Sequence, residues 1–316
     1  MKNLSKKVKN LLKKIPYIKH LNSSILHLRE HIKYLENELK RYKTAFPPGH
    51  YYSPIPSQID IQENLNIITD DNKIQFNNIN INDNELLMLL EKFSLFYKDI
   101  PFSHEKKDTI RYYYNNQMFC EGDAIILYSF IRHFNPKKII EVGSGFSSAI
   151  FLDTLERFSN QQAEIIFIEP YPERLKLLLK TTDNIVLHQK KLQEINIEEF
   201  LKLEENDILF IDSTHVSKFA SDVNYLFFKI LPVLKKGVII HIHDIFFNFE
   251  YPANWLQEGR AWNEAYLLKA FLLYNTSFEI LMFNSYIGKY YETFMFEKFP
   301  LFMKNAGGSI WLKKTK

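Results

Sequence analysis

Two short stretches of this 316-residue chain each run from apolar residues into acids and histidines: Phe210-Ile211-Asp212-Ser213-Thr214-His215 and Ile240-His241-Ile242-His243-Asp244-Ile245. Carboxylates and imidazoles move protons near neutral pH and hold divalent cations. The apolar residues ahead of them read as buried strands, which places the ionisable groups at strand ends. Along such a strand His241 and His243 share one face and Ile242 takes the other. If the two strands are neighbours in a parallel sheet, Asp212, His215, His243 and Asp244 converge on one small volume. Burying so many ionisable groups without pairing is costly. A divalent metal would resolve the cost. Alternatively no metal is present, and His215 or His243 is a general base oriented by Asp212 or Asp244.

A second group of residues suits a nucleotide-like ligand. In Glu141-Val142-Gly143-Ser144-Gly145-Phe146-Ser147-Ser148 two glycines at a turn admit a ligand close to the backbone. The helix that follows presents free N–H groups there. Further on, Ile168-Glu169-Pro170 ends a strand in an acid that can hold both hydroxyls of a ribose. A dinucleotide fold asks for a third glycine where Ser148 stands, and for an apolar residue where Glu141 stands. A pyrophosphate has no use for a carboxylate beside it. A sulfonium cofactor with an amino-acid tail tolerates one.

The elements that must position these groups alternate regularly from about residue 120. Helices are predicted at Asp123–Phe134, Phe146–Phe158, Pro172–Lys180, Phe219–Leu234 and Glu264–Tyr274. Strands are predicted at Lys137–Val142, Glu164–Ile168, Ile185–His188, Asp207–Ile211, Gly237–His241, Phe278–Phe283 and Ser309–Leu312. Strongly apolar strands alternating with helices mean a parallel sheet covered on both faces. Ligands in such sheets bind at the carboxyl ends of the strands, where both groups of residues lie. The stretch Asn115–Phe119 precedes the first of these helices, as a simple loop or a cover over the cofactor. A long aromatic loop, from Phe246 to Trp262, follows the second acid–histidine stretch and ends in Arg260-Ala261-Trp262-Asn263-Glu264. Its aromatic faces with Asn, Arg and Glu suit a sugar or another polyol, or a lid that excludes water.

In these features the sequence resembles the class I S-adenosylmethionine-dependent methyltransferases, whose first motif is an acid followed by Gly-x-Gly and whose second strand ends in an acid. The wording His-Ile-His-Asp-Ile-Phe, Glu-Tyr-Pro, Arg-Ala-Trp-Asn-Glu and Pro-Pro-Gly-His-Tyr-Tyr-Ser-Pro-Ile-Pro is similar to a bacterial group, methyltransferase family 24, from about residue 46 to the end. Members often accompany surface-polysaccharide or glycan synthesis. The resemblance implies an α/β, Rossmann-like, seven-stranded sheet, mostly parallel with the last strand antiparallel; the N-terminal helical extension that precedes it is read from periodicity alone. It implies S-adenosylmethionine as cofactor, with Glu141, Gly143, Ser144 and Gly145 in the first motif and Glu169 on the ribose. Leu192 and Gln193 would stand at the adenine, and Asp212 would close the fourth strand. The acid–histidine cluster is similar in position to the metal site of catechol-type and macrolide-sugar O-methyltransferases, which implies Asp212, His243 and Asp244 as ligands. A histidine replaces one of the usual oxygen ligands, which shifts the preference from magnesium towards manganese, iron or zinc. The expected activity is O-methylation of a sugar or glycan precursor, with His215, His243 and Asp244 catalytic. A non-sugar metabolite as acceptor, or a non-catalytic cofactor-binding scaffold, are the rival readings.

The rest of the chain bounds partners and organisation. A net charge of +3 is too small to imply nucleic acid. The one cysteine, Cys120, rules out an internal disulfide and points to a reducing compartment. No apolar run approaches the roughly 20 residues of a membrane span, so the cytoplasm is expected. Three regions are expected: 1–45 as helix, 46–110 as a Pro- and aromatic-rich segment with a helical cap including Asn84–Tyr97, and 111–316 as the α/β domain. Leu4, Val8, Leu11, Leu12 and Ile15 line one helical face among lysines, and Pro16 interrupts. Leu21, Ile25, Leu28, Ile32, Leu35 and Leu39 then recur in steps of four and three, a heptad seam. This helix packs on its own domain, pairs two copies as a coiled coil, or lays its basic first stretch on an anionic membrane surface. His50, Tyr51 and Tyr52 are expected to pack, at the mouth of a pocket among other places.

Overall fold

A computed structural model describes residues 16–41, 45–69, 78–79, 81–159 and 163–316. The apolar and basic face expected over residues 4–15 lies outside them. The chain divides into two compact units, ending and beginning at Asp60 and Ile61.

In the first unit, helix α1 spans Pro16–Arg41. The heptad seam is exposed along its length, from Leu21 at 48% to Leu39 at 69%. In the segment that follows, the aromatic residues pack on one another. Phe46 stacks on His50 with ring centroids 4.6 Å apart and meets the edge of Tyr52 at 5.0 Å. Tyr51 and Tyr52 stay exposed.

The second unit is built on a seven-stranded sheet in the order β3-β2-β1-β4-β5-β7-β6. The strands are β1 (Lys138–Val142), β2 (Glu164–Ile168), β3 (Val186–His188), β4 (Ile208–Ile211), β5 (Ile239–His243), β6 (Phe278–Phe283) and β7 (Ser309–Lys314). Only β7 runs antiparallel to its neighbours. Strands β1, β4 and β5 are fully buried apart from the first residue of β1, as their unbroken apolar runs require. The fifth strand sits two residues later than the sequence suggests. Gly237 turns the chain with φ +91° before it, so both His241 and His243 belong to the strand. The helix expected over 219–234 is shorter, Asp222–Val233, with one wider turn at Leu226–Ile230.

Helix α2 (Asp83–Tyr97) packs on α3 (Glu121–Phe134), with Phe93 against Phe130 at 5.1 Å. Phe130 stacks in turn on Trp311 of β7 at 3.8 Å. All three rings are fully buried, each stabilising the domain by roughly 1.5–3 kcal/mol. Helix α4 (Phe146–Phe158) follows β1, and α5 (Glu264–Leu272) follows the aromatic loop. The sheet order brings the carboxyl ends of β1, β4 and β5 side by side, β4 between the other two.

Candidate active site

The glycine turn after β1 is shaped by close approach. Gly143 adopts φ +80°, and a Cβ there would lie 1.7 Å from the Asp212 carbonyl oxygen, so no other residue fits. Its N–H donates to the Ile168 carbonyl, and the Asp212 N–H donates to that of Val142. These bonds tie the ends of β1, β2 and β4 together. The Glu169 carboxylate crosses the turn, accepting from the Ser144 N–H at 3.1 Å and the Tyr171 N–H at 2.8 Å.

Glu141 departs from its expected place against the cofactor. It is fully buried beneath the turn and does not line the cleft. Ser147 donates to one carboxylate oxygen at 2.5 Å and Ser148 donates to the other. Burial pushes its pKa up to about 8, against the pull of the two serine hydroxyls. The acid braces the start of α4 from below.

Above the turn lies a cleft of about 560 Å³ lined by Gly143–Ser147, Glu169, Asp212–His215, His243, Asp244 and Gln117–Phe119, among others. Residues 117–119, in the loop before α3, thus line the cleft. Arg174 also lines it, with its side chain against Gly145; sequence reasoning missed this residue. A second cavity of about 450 Å³ shares Gly143, Glu169 and Asp212 and runs on to Leu192 and Gln193. Leu192 is buried, and the Gln193 side-chain amide donates to the Ala220 carbonyl at 2.7 Å.

The acid–histidine cluster assembles at the other side of this cleft. His215 Nε2 lies 3.3 Å from Asp212 Oδ1 and 3.5 Å from Asp244 Oδ2. Its Nδ1 lies 3.0 Å from Oε2 of Glu264, a carboxylate with no exposure at all. His215 and Asp244 both adopt left-handed backbone, φ +58° and +56°, an uncommon state for residues with a Cβ. The loop holding His215 is clamped by the start of α5. The N–H groups of Asn263 and Glu264 both donate to the His215 carbonyl, and Asn263 Oδ1 accepts from the Ser217 N–H at 2.6 Å. Trp262 covers the imidazole face at 4.4 Å. The Arg260 guanidinium lies over Trp255 at 4.5 Å and Trp262 at 5.0 Å.

His243 stands on the opposite flank of Asp244, with Nε2 3.7 Å from Asp244 Oδ1. Its ring stacks on Phe119 at 5.1 Å. Its Nδ1 lies 3.4 Å from the Ser309 hydroxyl, which donates to buried Asp123. His241 shares its strand face, as expected, but is a core residue. It stacks on Phe210 at 3.8 Å, and neither ring nitrogen has a hydrogen-bond partner among the described residues.

Charge follows from these contacts. Burial opposes protonation of His215, but its hydrogen bonds to Asp212 and Glu264 and the nearby Asp244 hold its pKa well above 6.5. Burial likewise opposes protonation of His243, and Asp244, Asp212 and Asp123 raise it. For Asp212 burial favours the neutral acid, yet His243, His215 and Arg174 bring it below its ordinary value. Burial raises Asp244 and Glu264. His241, buried beside His243, is held far below 6.5 and stays neutral.

Among the described residues, the donor atoms that come together as a metal site could are those of Asp212, His215 and Asp244, all within 4.8 Å of one another. His215 stands among these converging donors and His243 outside them, with His215 Nδ1 on Glu264 and its Nε2 towards both carboxylates. A histidine whose other nitrogen is fixed by a carboxylate is the common arrangement of a metal ligand, and also of a general base.

A methyltransferase-domain family, methyltransferase family 24, matches residues 140–245. An "Uncharacterized protein" of Archaeoglobus fulgidus is 37% identical over 169 residues, covering 52% of this chain and 76% of that protein. Among solved structures, an SAH-bound methyltransferase of Podospora anserina aligns with 84% of this chain and 99% of its own, at 15% identity and a TM-score of 0.43. An O-methyltransferase of Bacillus cereus in complex with SAH aligns with 81% and 100%, at 14% identity and a TM-score of 0.38.

Proposed function

Since this chain belongs to the class I S-adenosylmethionine-dependent methyltransferases of family 24, we propose that it is an O-methyltransferase acting on a hydroxyl of a sugar or glycan precursor. One observation carries the reading. Asp212, His215 and Asp244 meet at the mouth of the glycine-turn cleft, with fully buried Glu264 behind the imidazole. A hydroxyl is a weak nucleophile until it loses its proton, and this cluster offers a proton acceptor at that place.

S-adenosylmethionine, when bound, supplies a methyl group on a positively charged sulfur that leaves readily. The chain must then hold the acceptor oxygen in line and take up its proton. Glu169 would receive the ribose hydroxyls, Leu192 and Gln193 would border the adenine, and the backbone of Gly143–Gly145 would hold the amino-acid tail. Arg174 and Asp212 both line the cleft; the guanidinium would pair with the carboxylate of that tail and Asp212 with its ammonium. Neutral His215 accepts the acceptor's proton on Nε2 while Nδ1–H donates to Glu264, so the imidazolium that forms is stabilised by an existing contact. His243, backed by Ser309 and Asp123, holds Asp244 from the other side. Trp255, Arg260 and Trp262 offer flat faces on which a sugar ring can lie, and they keep water from the cluster.

Asp212, His215 and Asp244 also fit a divalent cation, which would lower the pKa of the acceptor hydroxyl directly. One nitrogen and two carboxylate oxygens favour manganese, iron or zinc over magnesium. Among the described residues no helix is long and apolar enough to cross a membrane. We place the protein in the cytoplasm, with the basic N-terminal stretch at the inner membrane face, where glycan precursors are built.

The deciding experiment is calorimetric titration of metal-stripped protein with S-adenosylhomocysteine, repeated with magnesium and manganese, then transfer assays on a panel of sugars and polyols. Micromolar binding and transfer to a sugar hydroxyl support the reading. Folded protein that binds no S-adenosylhomocysteine in any condition contradicts it. Transfer only to non-sugar acceptors replaces the substrate class.

A further inference from the structure

We propose that helix α1 pairs with the same helix of a second copy as a parallel, in-register, two-stranded coiled coil. This goes beyond the methyl-transfer reading and does not depend on it. The apolar residues of α1 fall in one heptad frame. Ile18, Ile25, Ile32 and Leu39 occupy the first core position, and Leu21, Leu28 and Leu35 the second. That gives seven core residues over three heptads with no break. β-branched residues at the first position and leucine at the second favour two parallel strands over three or four.

The surface agrees with this frame. Leu21, Ile25, Leu28, Ile32, Leu35 and Leu39 are all exposed, between 39% and 69%. A continuous apolar seam on a helix about 39 Å long is costly to leave in water.

The flanking positions suit the parallel orientation. In a parallel pair each residue just before a first-position core residue faces the residue five further along the partner helix. This sets Tyr17 against Asn22, Ser24 against Arg29, and His31 against Glu36 of the second copy, with no like charges opposed. An antiparallel pair with Leu28 facing Ile25 opposes no like charges and is separated by the crosslinks below, whereas one with Leu28 facing Ile32 sets Arg29 against Arg29. Opposed like charges disfavour that arrangement.

The test uses full-length protein. Leu28→Cys should give a covalent dimer under mild oxidation, because second-position residues meet their own copies only in the parallel, in-register pair. In an antiparallel pair Leu28 faces Ile32 or Ile25, depending on register, so Leu28→Cys alone stays uncrosslinked while a mixture of Leu28→Cys chains with Ile32→Cys or with Ile25→Cys chains crosslinks. Sedimentation of the unmodified protein should show a concentration-dependent dimer. Ile25→Asp with Ile32→Asp should weaken self-association by at least about 100-fold and leave S-adenosylhomocysteine affinity unchanged. Crosslinking only in a mixture overturns the orientation. A trimer or tetramer overturns the strand number. A monomer at every concentration, whether or not it binds anionic vesicles, overturns the proposal.

Discussion

His215 Nδ1 and Glu264 Oε2 lie 3.0 Å apart across 49 residues of sequence, and the carboxylate is completely buried. A carboxylate taken out of water with no exposure is costly unless a charged or strongly donating partner compensates. The clamp of Asn263 and Glu264 backbone N–H groups on the His215 carbonyl fixes the same pair from the main chain. The Glu264 carboxylate thus sets which imidazole nitrogen faces Asp212 and Asp244.

Replacing Glu264 with Gln keeps the side chain's size and removes its charge. Turnover should fall by about 10²–10⁴-fold, the usual contribution of a well-placed proton acceptor. S-adenosylhomocysteine affinity should hold within about threefold, because Glu264 does not line the cofactor cleft. Single-turnover methyl transfer and calorimetry separate the two effects. Equal losses in both would make Glu264 a residue of the fold alone.

Two opposite pH trends follow for metal-free enzyme from the raised pKa of His215. Proton acceptance needs the neutral ring, so turnover should rise with pH through a value above 6.5. Stability runs the other way. A histidine whose folded pKa exceeds its unfolded value contributes stability that is complete below about 6.5 and is lost as pH rises through the folded value. The Tm gap between the wild type and His215→Ala should narrow as pH rises. A gap independent of pH would contradict the paired, protonated ring.

The donor geometry separates the two histidines. Manganese binding measured by calorimetry on metal-stripped protein should disappear in His215→Ala and persist in His243→Phe, because His243 lies outside the converging donors. Loss in His243→Phe alone would return the ligand set to Asp212, His243 and Asp244.

Much of this arrangement was legible in the sequence. The apolar strands named their own ends, and chain order with parallel topology put Asp212, His215, His243 and Asp244 together. What was not legible depends on distance and packing. Glu264 looks like an ordinary acid at a helix start, and only the returning aromatic loop brings it behind His215. The one available signal was its place directly after Trp262-Asn263, in a loop already assigned to the acceptor side. Arg174 reads as a surface residue of the short helix after β2. His241 and His243 are indistinguishable by period, and position along β5 decides: His241, between Phe210 and Trp311, lies too deep to reach the cleft. Glu141 matches the motif acid, but Ser147 and Ser148 on the next turn take both its oxygens.

Glu169 offers the direct test of the cofactor side. Its carboxylate bonds the Ser144 and Tyr171 N–H groups and lines both cavities. Glu169→Ala should weaken S-adenosylhomocysteine by about 1–3 kcal/mol, through lost charge-assisted hydrogen bonds to the ribose. Glu169→Gln keeps an acceptor for one N–H group and should lose less. An unchanged affinity in Glu169→Ala would remove the ribose role and leave the residue as a brace of the turn.

Gly143 tests whether the turn must approach β4 as closely as it does. An alanine Cβ would lie 1.7 Å from the Asp212 carbonyl oxygen at a φ of +80°, so either the turn or the end of β4 must move. Forced overpacking of this kind costs about 1–3 kcal/mol, which corresponds to a Tm lower by roughly 2–4 °C per kcal/mol for a domain of this size. Asp212 belongs to both the cofactor cleft and the acid–histidine cluster. Its displacement should therefore lower S-adenosylhomocysteine affinity and turnover together, unlike Glu264→Gln, which separates them. A Gly143→Ala protein with unchanged Tm and unchanged affinity would mean that the turn relaxes freely, and that its closeness to β4 does not position Asp212.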